Sequence, residues 1–410
     1  MTSQAYFAII LTVIVFNFII ERFLDYLNDK NRSSELPKEL EGIYDKEKYK
    51  KSQDYQKEKS RISFIGSFFS LGLVMSMLLL DGFAWLDSFV QSRTDTPILS
   101  SILFFAIIAI VSDVISLPFS IYNTFKIEEK YGFNKTTVPL FIIDKIKGYL
   151  LGALLGGTIL YFLIQFYESA PDQFWLYAWL LIVAFMLLMN MFYTSLIMPL
   201  FNKLTPLPEG DLKNEVNKYA EKTGYDLSQV YVIDGSKRSN KANAFFSGFG
   251  SRKKVVLYDT LIKNHTTEEL VAVLAHEVGH YKKKHIIQSL IMGILQTGIM
   301  LFVLQLFLKD AELAKALGVN QPSFHIGIVA FSFIFSPISQ LTGIFSNIIS
   351  RKNEYEADAY AKKTYDGKPL QDALKKLSVD NLSNLQPHPW YEFFYYSHPT
   401  LLKRLKALEK

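Results

Sequence analysis

The stretch His276–Leu308, HEVGHYKKKHIIQSLIMGILQTGIMLFVLQLFL, joins a metal-binding signature to a run long and apolar enough to cross a bilayer. In its first five residues two imidazoles lie four positions apart with a carboxylate between them. Residues i and i+4 share a helix face, so His276 and His280 can reach one tetrahedral zinc ion while Glu277 points to its open position as general base. Ile286 is six residues beyond His280, about 9 Å along a helix, so the metal is expected close to the membrane surface. Lys282–Lys284 contains no breaker, and the pattern predicts that the motif helix runs on into the apolar span.

Working outward, six further apolar runs accompany Ile286–Leu308: Ala5–Ile20, Ile62–Leu80, Ile98–Ile121, Gly148–Phe166, Phe174–Met198 and Phe324–Ile349. Each reads as a transmembrane helix. The first lacks a basic n-region and a small-residue cleavage site, which argues against a signal peptide. Half of the 410 residues are hydrophobic, with 33 Phe, and this composition excludes a chain of ordinary soluble domains. Cysteine is absent, so any metal must be held by His and carboxylate.

Charge orients the spans. Glu21–Arg61, Tyr122–Lys147, Pro199–His285 and Ser350–Lys410 hold 41 of the 44 Lys and Arg residues, leaving only Arg93, Lys309 and Lys315 for the opposite side. The positive-inside rule then predicts the N-terminus outside and the long polar segments in the cytosol. Three prolines in Pro199–Pro208 open the second half, giving an expected membrane domain with five spans (1–205) and a metallopeptidase domain with the last two (206–410). In that half Asp211–Lys222 reads as a helix. Gln229–Ile233, Asn243–Phe246 and Lys254–Tyr258 read as short strands of a small sheet, with a Gly-rich turn at Gly248 and Gly250. Thr266-Thr267-Glu268-Glu269 starts the motif helix, whose apolar stripe is Val271, Leu274, Ala275 and Val278. Leu24–Arg61, rich in Lys, Glu, Asp and Tyr, reads as a connection with some helix and no core of its own.

A catalytic zinc usually has three protein ligands. The candidate third ligand is Glu354, in Asn353-Glu354-Tyr355-Glu356-Ala357-Asp358 just after the seventh span; the competing reading is a solvated acidic helix end. Asp358 shares the helix face of Glu354 and is placed to orient a ligand imidazole, whereas Glu356 faces away. His265 and His285 are expected at the surface, although His285 could face a cavity. His388 reads as a loop residue, and His325 as lining a polar cavity or meeting the outer interface. His398, in Ser397-His398-Pro399, is extended by the following proline and able to donate to an oxyanion. Asp113, a lone carboxylate inside the third span, either lines a cavity or has a structural partner.

Further patches accompany these residues: Glu128-Glu129-Lys130-Tyr131-Gly132-Phe133-Asn134, Pro199-Leu200-Phe201-Asn202-Lys203, Pro206-Leu207-Pro208-Glu209-Gly210, Ser236-Lys237-Arg238-Ser239 and Asn243-Ala244-Phe245-Phe246. Together with HEVGH, the Asn353–Asp358 segment and Ser397-His398-Pro399, they make nearly the whole chain resemble the type I CAAX prenyl endopeptidases, integral-membrane zinc metalloproteases of the gluzincin type. That resemblance implies a mainly α, multi-pass fold, with seven transmembrane helices enclosing a water-filled chamber and a cytosolic metalloprotease domain carrying a small β-sheet. It implies one Zn²⁺ per chain on His276, His280 and Glu354, with Glu277 as catalytic base and Asp358 supporting a ligand His. It further implies Asn243 on an edge strand that pairs with substrate, and His398 and Arg404 in contact with substrate or the tetrahedral intermediate.

The expected activity is hydrolysis of C-terminal peptides of prenylated CAAX-type substrates by metal-activated water, cutting after the prenylated cysteine. An alternative is a membrane quality-control protease with no prenyl requirement; an alternative of another class is a noncatalytic transport or scaffold protein with structural zinc. A prenylated or membrane-associated substrate and the lipid bilayer are the expected partners, with no nucleic acid, and the protein is expected to be a monomer. The compact Lys309–Ser323 connection and the absence of a long C-terminal extension favour a bacterial inner membrane, with the endoplasmic reticulum membrane as the eukaryotic counterpart.

Overall fold

The computed structural model describes residues 1–33, 35–36, 41–42, 44–224, 230–248 and 253–410. Among them seven helices are long and apolar enough to cross a membrane: Ser3–Lys30, Lys46–Leu79, Pro97–Glu128, Val138–Ser169, Phe174–Leu200, His285–Leu308 and Phe324–Thr364. Most residues of their apolar stretches are not buried within the protein. Such a surface suits lipid rather than water.

The fourth span begins ten residues before the apolar run Gly148–Phe166. Thr137 caps its N-terminus by accepting from the Leu140 N–H, and Pro139 occupies the first turn. Asp144, Lys145 and Lys147 therefore lie inside a helix that hydropathy alone cuts short, and each has a partner. Asp144 receives two hydrogen bonds from Arg238, and Lys147 donates to the Leu200 carbonyl. Lys145 Nζ lies 2.6 Å from Asp113, which also accepts from Tyr149. Asp113 thus has a structural partner on the neighbouring span.

Two short helices, Gly82–Gln91 and Ala311–Ala316, were not foreseen from the sequence because each is too short for a periodic signal. They pack Phe83, Leu86, Val90, Leu313 and Leu317 against Tyr6, Ile10 and Ile326 at the end of the bundle opposite the motif. Within the segment from Leu24 to Arg61 the first helix ends at Lys30 and a second begins at Lys46, and the segment does contribute to packing. Tyr44 and Tyr49 join Leu385, Leu401 and Leu405, while Tyr55 joins Tyr131 and Phe133. Tyrosine rings rather than an aliphatic stripe make these contacts, which is why periodicity did not reveal them.

The sheet has the order β1-β2-β4-β3: β1 (Leu204–Pro206), β2 (Val230–Ile233), β3 (Ala244–Ser247) and β4 (Lys254–Tyr258). β2 and β4 are parallel, and β3 runs antiparallel to β4 as an edge strand. β1 forms within the proline-rich stretch, with Pro206 at the sheet margin, where a missing N–H is tolerated. The expected strand start Gln229 and the turn residue Gly250 lie outside the described residues. The helix Asp211–Thr223 ends on Gly224 in the left-handed region.

The motif helix Thr267–Lys282 begins with a full capping box between Thr266 and Glu269. Val271, Leu274, Ala275 and Val278 are completely buried, in one core with Leu257, Leu261 and Ala361. The helix does not continue into the sixth span. Lys284 adopts φ +59°, a left-handed conformation uncommon for a residue with a Cβ, and a new helix starts at His285. The seventh helix, in contrast, is unbroken for 41 residues, about 60 Å, or twice the thickness of a hydrocarbon core. It thereby carries Glu354 out of the spanning region to the motif helix.

Candidate metal centre

The motif helix and the far end of the seventh helix cross closely because Gly279 faces Ala357. A Cβ at Gly279 would lie 3.0 Å from the Ala357 Cα and 3.1 Å from its carbonyl oxygen, backbone atoms that cannot yield cheaply. This approach brings Glu354 up to the two imidazoles. Gly279→Leu is expected to push the helices apart and reduce metal binding by at least tenfold, measured by chelator competition, whereas Ala357→Gly leaves it near wild type.

The donor atoms converge. His276 Nε2 and His280 Nε2 are 3.1 Å apart, the Glu354 carboxylate is 3.5 Å from the first and 3.2 Å from the second, and both His276 and Glu354 are buried. Tetrahedral zinc with bonds of about 2.0–2.1 Å requires donor atoms about 3.3–3.4 Å apart, so the spacing fits such an ion. Glu354 Oε2 is also buried and makes no hydrogen bond; the Arg404 guanidinium lies 3.3 Å from it, and the oxygen keeps capacity for a metal. His276 carries the electrostatic signature of the site. Burial pulls its pKa down, but hydrogen bonds to Asp358 and Glu354 more than offset that and leave it pushed up to about 9. Both carboxylates bear on this ring, Asp358 at Nδ1 and Glu354 at Nε2, so Nε2 is the nitrogen that faces the donor set.

Asp358 lies behind the donor set, with Oδ1 2.9 Å from His276 Nδ1. Arg404 grips it from the other side, donating to both carboxylate oxygens at 2.8 and 2.6 Å, and reaches Glu354 Oε2 at 3.3 Å. Arg404 lines the cleft, with its guanidinium engaged with these two acids. His398 Nε2 is 3.3 Å from Glu354 Oε1, and its side chain is 63% exposed, so it borders the donor set while facing open space.

The histidines expected at the surface are not there. His265 is buried and donates from Nδ1 to the Leu261 carbonyl at 3.0 Å. His285, 4% exposed, lies 3.0 Å from His280 Nδ1 and 3.3 Å from Glu356. A continuous helix would carry position i+5 about 140° away from His280; the turn at Lys284 brings it back. No turn residue in the sequence signals that break. His325 is buried between Ser101 and Asp87, and His388 caps the short helix Pro389–Tyr395.

A cavity of about 680 Å³ opens onto the donor set, with Glu277, His398, Asn243 and Phe246 in its walls. Asn243 immediately precedes β3, and its Oδ1 accepts from the Ala244 N–H. Ala244 and Phe245 of β3, an edge strand among the described residues, line the same cleft. A smaller, largely apolar pocket of about 500 Å³ adjoins it, lined by Phe185, Met189 and Tyr193, and shares Met186, Asn190, Phe246, Ile286 and Leu290 with the first.

Comparison with known proteins agrees with this architecture. Residues 25–203 match the family model described as CAAX prenyl protease N-terminal, five membrane helices, and residues 206–410 match Peptidase family M48. A CAAX prenyl protease 1 homolog of Oryza sativa is 36% identical, over 98% of this chain and 97% of its own length. CAAX prenyl protease 1 of Saccharomyces cerevisiae is 33% identical, over 96% and 92% of the two chains. The crystal structure of S. mikatae Ste24p superimposes with a TM-score of 0.93 at 33% identity, covering 99% of both chains. With a buried His-His-Glu donor set at the end of seven apolar helices and these two models spanning almost its full length, the chain belongs to peptidase family M48, as an integral-membrane metalloendopeptidase with the five-helix N-terminal domain of the CAAX prenyl proteases.

Proposed function

We propose that this metalloendopeptidase uses zinc to remove the C-terminal residues of prenylated CAAX-type substrates. The observation that carries the proposal is the junction of three features: the His276, His280 and Glu354 donors, the edge strand β3, and the adjoining apolar pocket between the fifth and sixth spans. Bound zinc supplies Lewis-acid polarisation and acidifies a water toward neutrality. Glu277 accepts the proton of the attacking water and returns it to the leaving amine. His398, exposed beside Glu354, donates to the developing oxyanion. Asn243 and β3 hold the substrate backbone extended by strand addition, so that the scissile carbonyl faces the donor set. Asp358 keeps the Nδ1 proton of His276 in place so that Nε2 is the metal-facing nitrogen.

The apolar pocket suits a farnesyl or geranylgeranyl chain entering from the bilayer, while the polar peptide lies in the cleft above it. Residues 1–205 supply five of the helices and 206–410 the peptidase fold with the last two. The excess of Lys and Arg on the segments that carry the site supports a cytosolic active centre and an outward N-terminus. Matched farnesylated and unmodified peptides test the substrate class. The farnesylated peptide is expected to be cleaved with at least tenfold higher kcat/KM, and Met189→Arg in the apolar pocket is expected to narrow that ratio. Equal rates for the two wild-type reactions exclude prenyl recognition and favour a quality-control protease.

A further inference from the structure

We infer that His285 is a positioning residue that fixes the tautomer and orientation of His280, an assignment that rests on the reading of His276, His280 and Glu354 as the zinc ligands. The two ligand imidazoles are supported unequally. His276 has the Asp358 carboxylate behind its Nδ1, whereas no carboxylate reaches the Nδ1 of His280 among the described residues. In its place stands the ring of His285, Nδ1 to Nδ1 at 3.0 Å, with ring centroids 5.1 Å apart at 74°.

Two facing ring nitrogens need one proton between them. The Nε2 of His280 turns toward His276 and Glu354, at 3.1 and 3.2 Å, so it is the atom that meets the metal and carries no hydrogen. The single proton of a neutral His280 then resides on Nδ1 and is donated to His285. His285 Nδ1 is accordingly the acceptor, and its own proton resides on Nε2, which lies 3.3 Å from Glu356 Oε2. One proton assignment thus satisfies the whole chain from Glu356 through His285 to His280, with both rings neutral.

The backbone is arranged for this contact. Between the motif helix and the sixth span, Lys284 holds φ +59°, a left-handed conformation unfavourable for a residue with a Cβ. In return His285 lies against His280 rather than about 140° round the helix. The function of Glu356 changes as well: it faces away from Glu354 on its own helix, yet it serves the same centre through His285.

The test is the ranking of two polar substitutions in the full-length protein. Asn at 285 places an oxygen near the position of Nδ1 and retains the acceptor; Gln is closer to His in size but carries its oxygen one bond too far. Zinc affinity is measured by competition with a chromophoric chelator, and Co²⁺ absorption reports the ligand geometry. His285→Asn is expected to bind zinc close to wild type, while His285→Gln binds about 10–100-fold more weakly, with kcat falling and peptide KM unchanged at saturating zinc. A packing role alone predicts the opposite order, and Gln binding as well as or better than Asn overturns the inference. Glu354→Gln, run alongside, separates the two claims: unchanged zinc affinity there sinks the ligand assignment itself, whatever the order at 285.

Discussion

Glu277→Gln is expected to lower kcat for peptide cleavage by about 10²–10⁴-fold while the protein keeps its zinc and its melting temperature. Gln preserves the size and polarity of the side chain but cannot take a proton from water. Glu277 is half-buried on the motif helix, in the wall of the cavity that opens onto the donor set, and it belongs to none of the converging ligand atoms. Its loss therefore removes the base without disturbing the metal. Turnover and metal content are both needed, because a drop in each together indicates a damaged site rather than a missing base. Undiminished turnover in a zinc-loaded Glu277→Gln protein rules out the proposed proton transfer. A noncatalytic protein with structural zinc predicts no wild-type turnover at all.

The convergence of His276, His280 and Glu354 was legible in the sequence because its geometry is local: H-E-x-x-H places two rings on one face, and a continuous seventh helix places Glu354 at their level. The seven spans were equally plain from hydropathy, though the fourth was cut short where Asp144, Lys145 and Lys147 enter the helix. Those charges have partners on other elements, a fact that no sliding window contains. His285 is not at the surface but takes the alternative position, in the wall of the cavity. Nothing in Tyr281-Lys282-Lys283-Lys284 signals a break, yet a left-handed turn at Lys284 sets His285 against His280 and Glu356. The role of Gly279 was hidden inside the motif as one of its variable positions. Its close contact with Ala357 depends on a partner 78 residues away.

Arg404 offers the second large effect, since its contacts distinguish a framework from a substrate-binding role. Its side chain is only 11% exposed and makes a bidentate pair with Asp358 while reaching Glu354, so one cation offsets two buried carboxylates. Burial opposes its charge, but Asp358 and Glu354 prevail and hold its pKa above the ordinary arginine value. Removing one partner of such a cluster leaves uncompensated buried charge, at a cost of about 3–5 kcal/mol. Arg404→Leu is therefore expected to lower the melting temperature clearly in the metal-free protein and to weaken zinc binding, because Asp358 loses the contact that holds it on His276. Arg404→Lys, which keeps the charge but not the fork, is expected to fall between. Thermal unfolding and chelator competition on the three proteins decide the matter. If both variants melt and bind zinc as the parent does, with only the peptide KM raised, then Arg404 acts on substrate and Asp358 holds His276 without it.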